Sequence, residues 1–228
     1  MKKNFYTELA YAVGILLLAF GTAMMQRSEF GLSMIIAPAY ILHLKISEFL
    51  PFFSFGMACY TFEAVLLIII ILIRHRAKLS YLFSFVTALI YGFTLDGMVW
   101  LVGFLPCDGV VLRILFFVVG ILFCSWGLAF MFKTYIPQEA YEVFVLEISD
   151  MTGKNFVMVK TVYDLCSLVL AVVLSFAFFG FGNFNGVNFG TLVSAFANAP
   201  LIGLFSKLND RFFGFVDGIP RLKAFLSK

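Results

Sequence analysis

Long apolar segments alternate along the chain with short segments that hold most of the charged residues. The hydrocarbon core of a bilayer is about 30 Å thick, and a helix of roughly 20 apolar residues crosses it. Six segments are long enough, and the pattern therefore predicts six transmembrane helices. They cover residues 8–26, 54–73, 80–103, 112–133, 158–181 and 187–206.

A seventh apolar segment, 30–44, is too short to span a bilayer and contains Pro38, which predicts a re-entrant or interfacial segment. The basic residues support this interpretation, because cytoplasmic loops are rich in Lys and Arg. If the N-terminus is inside and 30–44 does not cross, most of the 16 Lys and Arg residues are cytoplasmic, and those outside are Arg27, Lys45 and Arg113. A crossing at 30–44 would move the basic segment 74–78 outside. The sequence thus predicts six spans with both termini in the cytoplasm.

Segment 137–150 is amphipathic, with Glu139 and Glu142 on its polar side and Tyr141 on its apolar side. One interpretation is an interfacial helix whose acidic face meets water. The other is a re-entrant helix that presents both acids to a central cavity, opposite Ser33 of segment 30–44. An acidic cavity of this kind would suit a cationic or zwitterionic ligand.

The composition excludes a soluble globular domain. Hydrophobic residues make up 62% of the chain and charged residues 13%, whereas soluble domains carry about 25% charged residues. The basic residues are scattered, so nucleic acid is not expected as a partner. The four cysteines have no metal-binding spacing, and no metal or cofactor is expected.

Two motifs indicate an internal repeat. The sequence GTAMMQR at 21–27 aligns with GLAFMFK at 127–133, and Tyr60 aligns with Tyr163 further along. An odd number of spans in each unit would insert the second unit in the opposite orientation. The predicted fold is an all-α polytopic membrane protein of two inverted three-helix repeats, each with a short re-entrant or interfacial segment. The predicted units are 1–106, 107–206 and a basic amphipathic tail, 207–228, on the inner membrane surface.

The second half of the chain also carries recognisable sequence patterns. FMFKTYIPQEAYEVFVLEIS, VKTVYDLCS, LSFAFFGFG, GVNFGTL and NAPLIGLFSKL resemble the YczE/YyaS/YitT-type uncharacterised bacterial membrane proteins. The resemblance covers 130–208 and, in the first half, the GTAMMQRSEFGLS and FTLDG segments. It implies a location in the bacterial plasma (inner) membrane and assigns no reaction.

Ionisable residues inside a span are costly and are therefore candidates for function. Glu63 lies halfway along the second span, where it could serve transport, proton coupling or an interhelical hydrogen bond. Lys160 and Asp164 are four residues apart and could form an intrahelical ion pair. Asp96 and Asn198 are expected to interrupt the third and sixth spans. The predicted substrate-binding residues are Ser33, Tyr60, Glu63, Asp96, Glu139, Tyr163, Asp164 and Asn198.

No catalytic motif is present in the sequence, so an enzyme is not expected. Inverted repeats with interrupted helices are common in secondary transporters, whose sites lie near the middle of the membrane. The leading interpretation is a small secondary transporter or facilitator of a polar, cationic or zwitterionic metabolite. The alternatives are a membrane subunit of an ATP-driven transporter and a non-transporting factor for assembly or lipid handling. The expected partners are the bilayer and a small polar molecule, and self-association into a homo-oligomer stays open.

Overall fold

The computed structural model describes residues 3–226, which are almost entirely helical. Within this range three helices are short: α2 (Ala37–Ile46), α6 (Ala140–Thr152) and α9 (Pro220–Leu226). The others are long and apolar enough to cross a membrane: α1 (Thr7–Ser28), α3 (Phe55–Arg74), α4 (Leu79–Gly103), α5 (Val110–Met131), α7 (Phe156–Phe179) and α8 (Phe189–Phe212). The prediction of an all-α, multi-pass membrane protein with six spans is confirmed.

Two spans are continuous where interruptions were predicted. Helix α8 passes through Asn198 and Pro200 and ends at Phe212, so residues 207–212 belong to it and not to a tail. A proline removes one backbone hydrogen bond, and transmembrane helices tolerate this because neighbouring helices help to satisfy the freed groups. Helix α4 likewise continues through Asp96, whose carboxylate is bound by Ser54 and Gly56 at the start of α3.

A small sheet, which the sequence did not predict, joins the two ends of the described chain. Strand β1 (Lys3–Tyr6) pairs in parallel with β2 (Phe213–Val216), with Tyr6 opposite Val216. The carboxylate of Glu8 then accepts hydrogen bonds from the Tyr135 hydroxyl and from the backbone N–H groups of Gly218 and Ile219. The tail was expected on the membrane surface. The contacts above hold residues 213–219 against the end of the helix bundle, here called the proximal face.

Ion pairs at the two ends of the bundle show which helix ends lie together. At the proximal face Lys133 pairs with Asp210 at 2.7 Å. At the opposite end, the distal face, Arg113 pairs with Glu29 at 2.6 Å. Since Glu29 follows α1 and α3 starts beside Asp96 at the same end, the chain between them does not cross.

The short helices α2 and α6 each occupy half of the bundle's depth. Ala37 and Ile41 of α2 pack with Ala171 of α7 in the distal half. In the proximal half, Ala140 of α6 packs with Ile70 near the end of α3. At 1.5 Å per residue, α2 is about 15 Å long, half the thickness of a bilayer core. Both helices therefore begin in the middle of the bundle and run outwards towards opposite faces.

Helices α1 and α5 form the centre of the bundle and cross at glycines. A Cβ atom at Gly14 would lie 2.7 Å from Met131 Cγ, and a Cβ atom at Gly120 would lie 2.6 Å from Met25 Cγ. The two contacts are equivalent, with the roles of α1 and α5 exchanged. The equivalent residues are separated along the chain by the same distance as the aligned sequence motifs. The corresponding pairs are Gly14 with Gly120, Gly21 with Gly127 and Met25 with Met131.

Candidate functional site

The main cavity has a volume of about 120 Å³ and lies where α2 and α6 begin, between α1, α5, α7 and α8. Most of its wall is apolar. Polar side chains from five parts of the chain reach it, and they are Thr22, Ser33, Glu139, Glu142, Lys160, Asp164 and Asn198. Four of these ionise, and they come from the start of α6 and from the first half of α7. This clustering of charge makes the cavity the candidate site.

The acids of α6 point inwards and do not form a water-facing surface. Glu139, Glu142 and Glu147 are exposed by 4%, 6% and 4%, and only Asp150 is exposed. The interfacial interpretation of 137–150 is therefore wrong, and the re-entrant one describes the geometry. Helical spacing distinguishes an acidic side from an apolar side, but it does not say whether water or a cavity lies beside the acidic one.

Lys160 is paired across helices rather than along its own. Its Nζ lies 2.7 Å from Oε1 of Glu142 and 5.0 Å from the centre of the Tyr141 ring. The expected ion pair with Asp164 is not formed, and the Oδ1 atom of Asp164 is buried with no hydrogen-bond partner among the described residues. Because one base serves three acids, the cavity retains two carboxyl groups without a cationic partner.

Glu139 is one of these two, and it occupies the turn immediately before α6. Its Oε1 atom is buried and, within residues 3–226, has no hydrogen-bond partner. The residue lines the main cavity and also a smaller one, of about 10 Å³, on the side of α3 and α4. Glu139 therefore connects the two cavities.

Glu63 lies behind the main cavity. It is 7% exposed, lines only the smaller cavity, and its Oε2 atom accepts a hydrogen bond of 2.7 Å from the backbone N–H of Ala140. The interhelical hydrogen bond considered for Glu63 is thus present, and it is made to the first residue of α6. Tyr163 lines the same small cavity and stacks on Tyr141, with ring centroids 6.4 Å apart.

Two predicted site residues lie away from both cavities. The Tyr60 ring packs against Phe93, whose side chain is 67% exposed on the outside of the bundle. Asp96 sits near the distal face, where it accepts hydrogen bonds from the Ser54 hydroxyl at 2.5 Å and the Gly56 N–H at 2.7 Å. Those bonds satisfy donors at the start of α3, which is a structural use of a carboxylate. Ser33 and Asn198, in contrast, line the main cavity.

A buried polar chain beneath the cavity was not predicted. The Tyr91 hydroxyl donates to Thr22 Oγ1 at 3.0 Å, and that oxygen lies 3.6 Å from Cys124 Sγ. Thr22 and Cys124 both line the main cavity. The available signal was the position of Thr22 directly after Gly21, where the aligned motifs mark a close approach of two helices.

The second half of the bundle is more open than the first. Helices α3 and α4 pack along each other, whereas α7 and α8, both fully described, have no comparable packing. The main cavity lies in this gap, with Lys160 and Asp164 on the α7 side and Asn198 on the α8 side. The site is therefore bounded there by two helices that are not packed together.

At its far end α6 is held to the proximal face. Glu147 pairs with Lys78 and, at 2.6 Å, with Arg74. Burial alone would raise the pKa of Glu147, but the hydrogen bonds from Lys78 and Arg74 outweigh it and hold the pKa below its usual value. The re-entrant helix is thus fixed at its start by Glu63 and near its end by an ion cluster.

Within residues 3–226 no group of three or more His, Cys, Asp and Glu side chains has metal-binding geometry. No curated protein and no solved structure matches the chain. The sequence patterns indicated an uncharacterised family, and a family of that kind is found. Residues 5–207 match the model of a family of unknown function (DUF6198), and the chain belongs to that family.

Proposed function

We propose that the protein is a secondary transporter or facilitator that binds a small cationic or zwitterionic solute in the main cavity. The observation that carries the proposal is the pair of carboxyl groups, Glu139 and Asp164. Both line the cavity, and each has a buried oxygen with no hydrogen-bond partner in the part of the chain that the structure describes. Charge left unpaired away from water is costly. A positively charged group of a bound solute would supply the missing partner.

The remaining charges favour a cationic group over an anionic one. Lys160 is already neutralised by Glu142 at 2.7 Å, so the two unpaired acids dominate the cavity. The start of α2 is also at the cavity, since residues 32–36, which lead into it, line the wall. A helix start carries partial positive charge. A zwitterion would therefore place its amino group towards Glu139 and Asp164, and its carboxylate towards α2.

The size and lining of the cavity favour a small organic ion. A volume of about 120 Å³ corresponds to roughly ten water-sized spheres at 10–15 Å³ each. The wall is mostly apolar, which suits alkyl or guanidinium groups better than a hydrated inorganic cation. Guanidinium and tetramethylammonium are therefore suitable probes.

Transport, beyond binding, is supported by signs of inverted repeats. Gly14 of α1 contacts Met131 of α5, and Gly120 of α5 makes the equivalent contact with Met25 of α1. Helix α2 packs on α7 in the same way that α6 packs on α3. Likewise, α1 packs on α4 and α5 packs on α8. These exchanges support the units 1–106 and 107–206. In secondary transporters with such repeats, the site lies at the repeat interface and alternates between the two sides.

The basic residues support an orientation in a bacterial plasma membrane. Most Lys and Arg residues lie at or near the proximal face, including Arg74, Lys78, Lys133 and Arg211. The distal face has Arg27, Lys45 and Arg113. By the positive-inside rule, the proximal face, where residues 3–6 pair with 213–216, is the cytoplasmic one.

The proposal is tested by thermal unfolding of the purified protein with guanidinium, tetramethylammonium or glycine betaine, at matched ionic strength and with acetate as the anionic comparison. A ligand present at 100 times its Kd stabilises the folded protein by about 2.7 kcal/mol. We expect stabilisation by at least one cationic or zwitterionic probe, and uptake of that probe into proteoliposomes.

The matched variants are Asp164→Asn, which should lose the stabilisation, and Glu29→Gln, which should keep it because Glu29 is an exposed acid at the distal face. Equal stabilisation of parent and Asp164→Asn would refute the proposed site. Binding without uptake, together with co-purification of an ATPase, would favour the membrane-subunit alternative.

A further inference from the structure

Two buried carboxyl groups line the same small cavity behind the main cavity. Glu63 and Glu139 are exposed by 7% and 4%, and both line the smaller cavity of about 10 Å³. Glu63 Oε2 is bound by the N–H of Ala140, the residue that follows Glu139. The two side chains come from α3 and from the start of α6, so they share this cavity only when α6 is in its re-entrant position.

Among residues 3–226, no Lys, Arg or His forms a salt bridge with either member of the pair. Lys160, the base that lines the main cavity, pairs with Glu142 at 2.7 Å. The other acids at the main cavity are Glu142 itself and Asp164, whose Oδ1 atom has no hydrogen-bond partner among residues 3–226. The remaining titratable neighbours are neutral at pH 7 in their ordinary states. They are the phenols of Tyr11, Tyr91, Tyr141 and Tyr163 and the thiols of Cys59 and Cys124.

Two adjacent carboxyl groups away from water do not both ionise, because each negative charge disfavours the other and burial disfavours both. Such a pair titrates as a unit, and one proton belongs to the pair rather than to either residue. The N–H of Ala140 supplies one donor to Glu63, and the shared proton would supply the second donor that the pair lacks.

We propose that Glu63 and Glu139 hold one proton between them, and that a cation entering the main cavity releases this proton, so that the protein exchanges a proton for its substrate. This inference rests on the proposed function. When the cation binds, the carboxylic O–H bond breaks, the proton passes to water, and the carboxylate of Glu139 pairs with the cation. One positive charge enters and one leaves, so the charge of the site is unchanged.

Glu139 is the residue that can couple the two events, because it lines both cavities whereas Glu63 lines only the smaller one. A solute in the main cavity therefore contacts one member of the pair directly. Glu63 acts as a positioning residue that binds the start of α6 and shares the proton.

The shared proton is tested without any ligand, by infrared spectroscopy of the protein between pH 4 and 9. Exposed Glu ionises near pH 4.3, so a protonated carboxyl band that persists at pH 7 reports a buried group. We expect this band in the parent and in Glu29→Gln, and its loss in the double variant E63Q/E139Q. An absent band in the parent, or an unchanged band in the double variant, overturns the shared proton.

The exchange is tested by adding guanidinium to weakly buffered protein with a pH indicator. We expect release of about one proton per bound cation in the parent and in Glu29→Gln, and none in E139Q. If guanidinium stabilises the parent without proton release, the exchange is overturned while the proposed function stands. If guanidinium does not bind, the titration is repeated with tetramethylammonium and glycine betaine. If none of the three binds, the proposed function and the exchange both fail, and the infrared result alone decides the shared proton.

Discussion

The carboxylate of Glu63 accepts a hydrogen bond from the backbone N–H of Ala140, with 2.7 Å between Oε2 and the nitrogen. The first N–H groups of a helix have no partner within that helix. Here the partner comes from α3, 77 residues earlier in the chain. One acid in a span therefore determines where the re-entrant helix begins, and with it the position of Glu139 in the cavity.

Replacing Glu63 with Ala should destabilise the protein by about 1–3 kcal/mol, because the buried N–H of Ala140 would lose its acceptor. Glu63→Gln keeps an acceptor oxygen and should cost clearly less. Thermal unfolding in one detergent compares the two variants with the parent. Equal losses for Ala and Gln would mean that the hydrogen bond does not hold α6 in place.

Adding a methyl group where α1 crosses α5 should be costly. A Cβ atom at Gly21 would lie 2.5 Å from the backbone nitrogen of Cys124, and overpacking of this kind costs about 1–3 kcal/mol. Gly21→Ala should lower the unfolding temperature. Gly120→Ala should do so to a similar extent, because its Cβ atom would lie 2.6 Å from Met25 Cγ and 2.8 Å from the backbone oxygen of Gly21. Gly97→Ala is the control, since nothing lies within 4 Å of its Cβ position. A Gly97 variant as unstable as the other two would contradict the packing argument.

The ion cluster of Glu147 should make stability depend on pH. The pKa of Glu147 is lower in the folded protein than its usual value, so its contribution is present at neutral pH and is lost as the pH falls through the folded-state pKa. The parent should therefore unfold at a higher temperature than Glu147→Gln at pH 7, and this difference should shrink at acidic pH. A difference that is constant with pH would show that the charge of Glu147 is not what anchors α6.

Labelling with a membrane-impermeant thiol reagent should reach opposite sides of the membrane at Glu29→Cys and Asp150→Cys. Both positions are exposed, the first at the distal face and the second near the proximal end of α6. In intact cells Glu29→Cys should react and Asp150→Cys should not, with the parent as the control for the native cysteines. Reaction of both from outside would contradict the half-depth placement of α2 and α6.

The length of the apolar segments was sufficient to predict the six spans, because the bilayer imposes one length on every helix that crosses it. The distribution of Lys and Arg identified 30–44 as a segment that does not cross. The aligned glycines of the two motifs also proved to be contact points between α1 and α5. These features depend on local composition or spacing, which a sequence records directly.

The arrangement of the site was less predictable, because it depends on contacts between distant segments. Glu142 is 18 residues from Lys160, while Asp164 is only four, so local spacing favoured the wrong partner. Tyr60 was included through its alignment with Tyr163, but its face of α3 meets Phe93 and the outside of the bundle. The strand pairing of 3–6 with 213–216 had no signal in either segment alone.

The pairing of β1 with β2 can form only after nearly the whole chain has been synthesised. The hydrogen bond between Thr7 and Asp217 joins residues 210 positions apart. Chains are made at roughly 5–20 residues per second, so the first strand waits on the order of ten to forty seconds for its partner. During that interval α1 is already inserted, while its proximal end has no strand to pair with and Glu8 lacks its backbone donors at Gly218 and Ile219. Pairing of β1 with β2 is thus a late folding event. Truncation before residue 213 would keep all six spans, but it would leave β1 at the start of α1 without its partner strand.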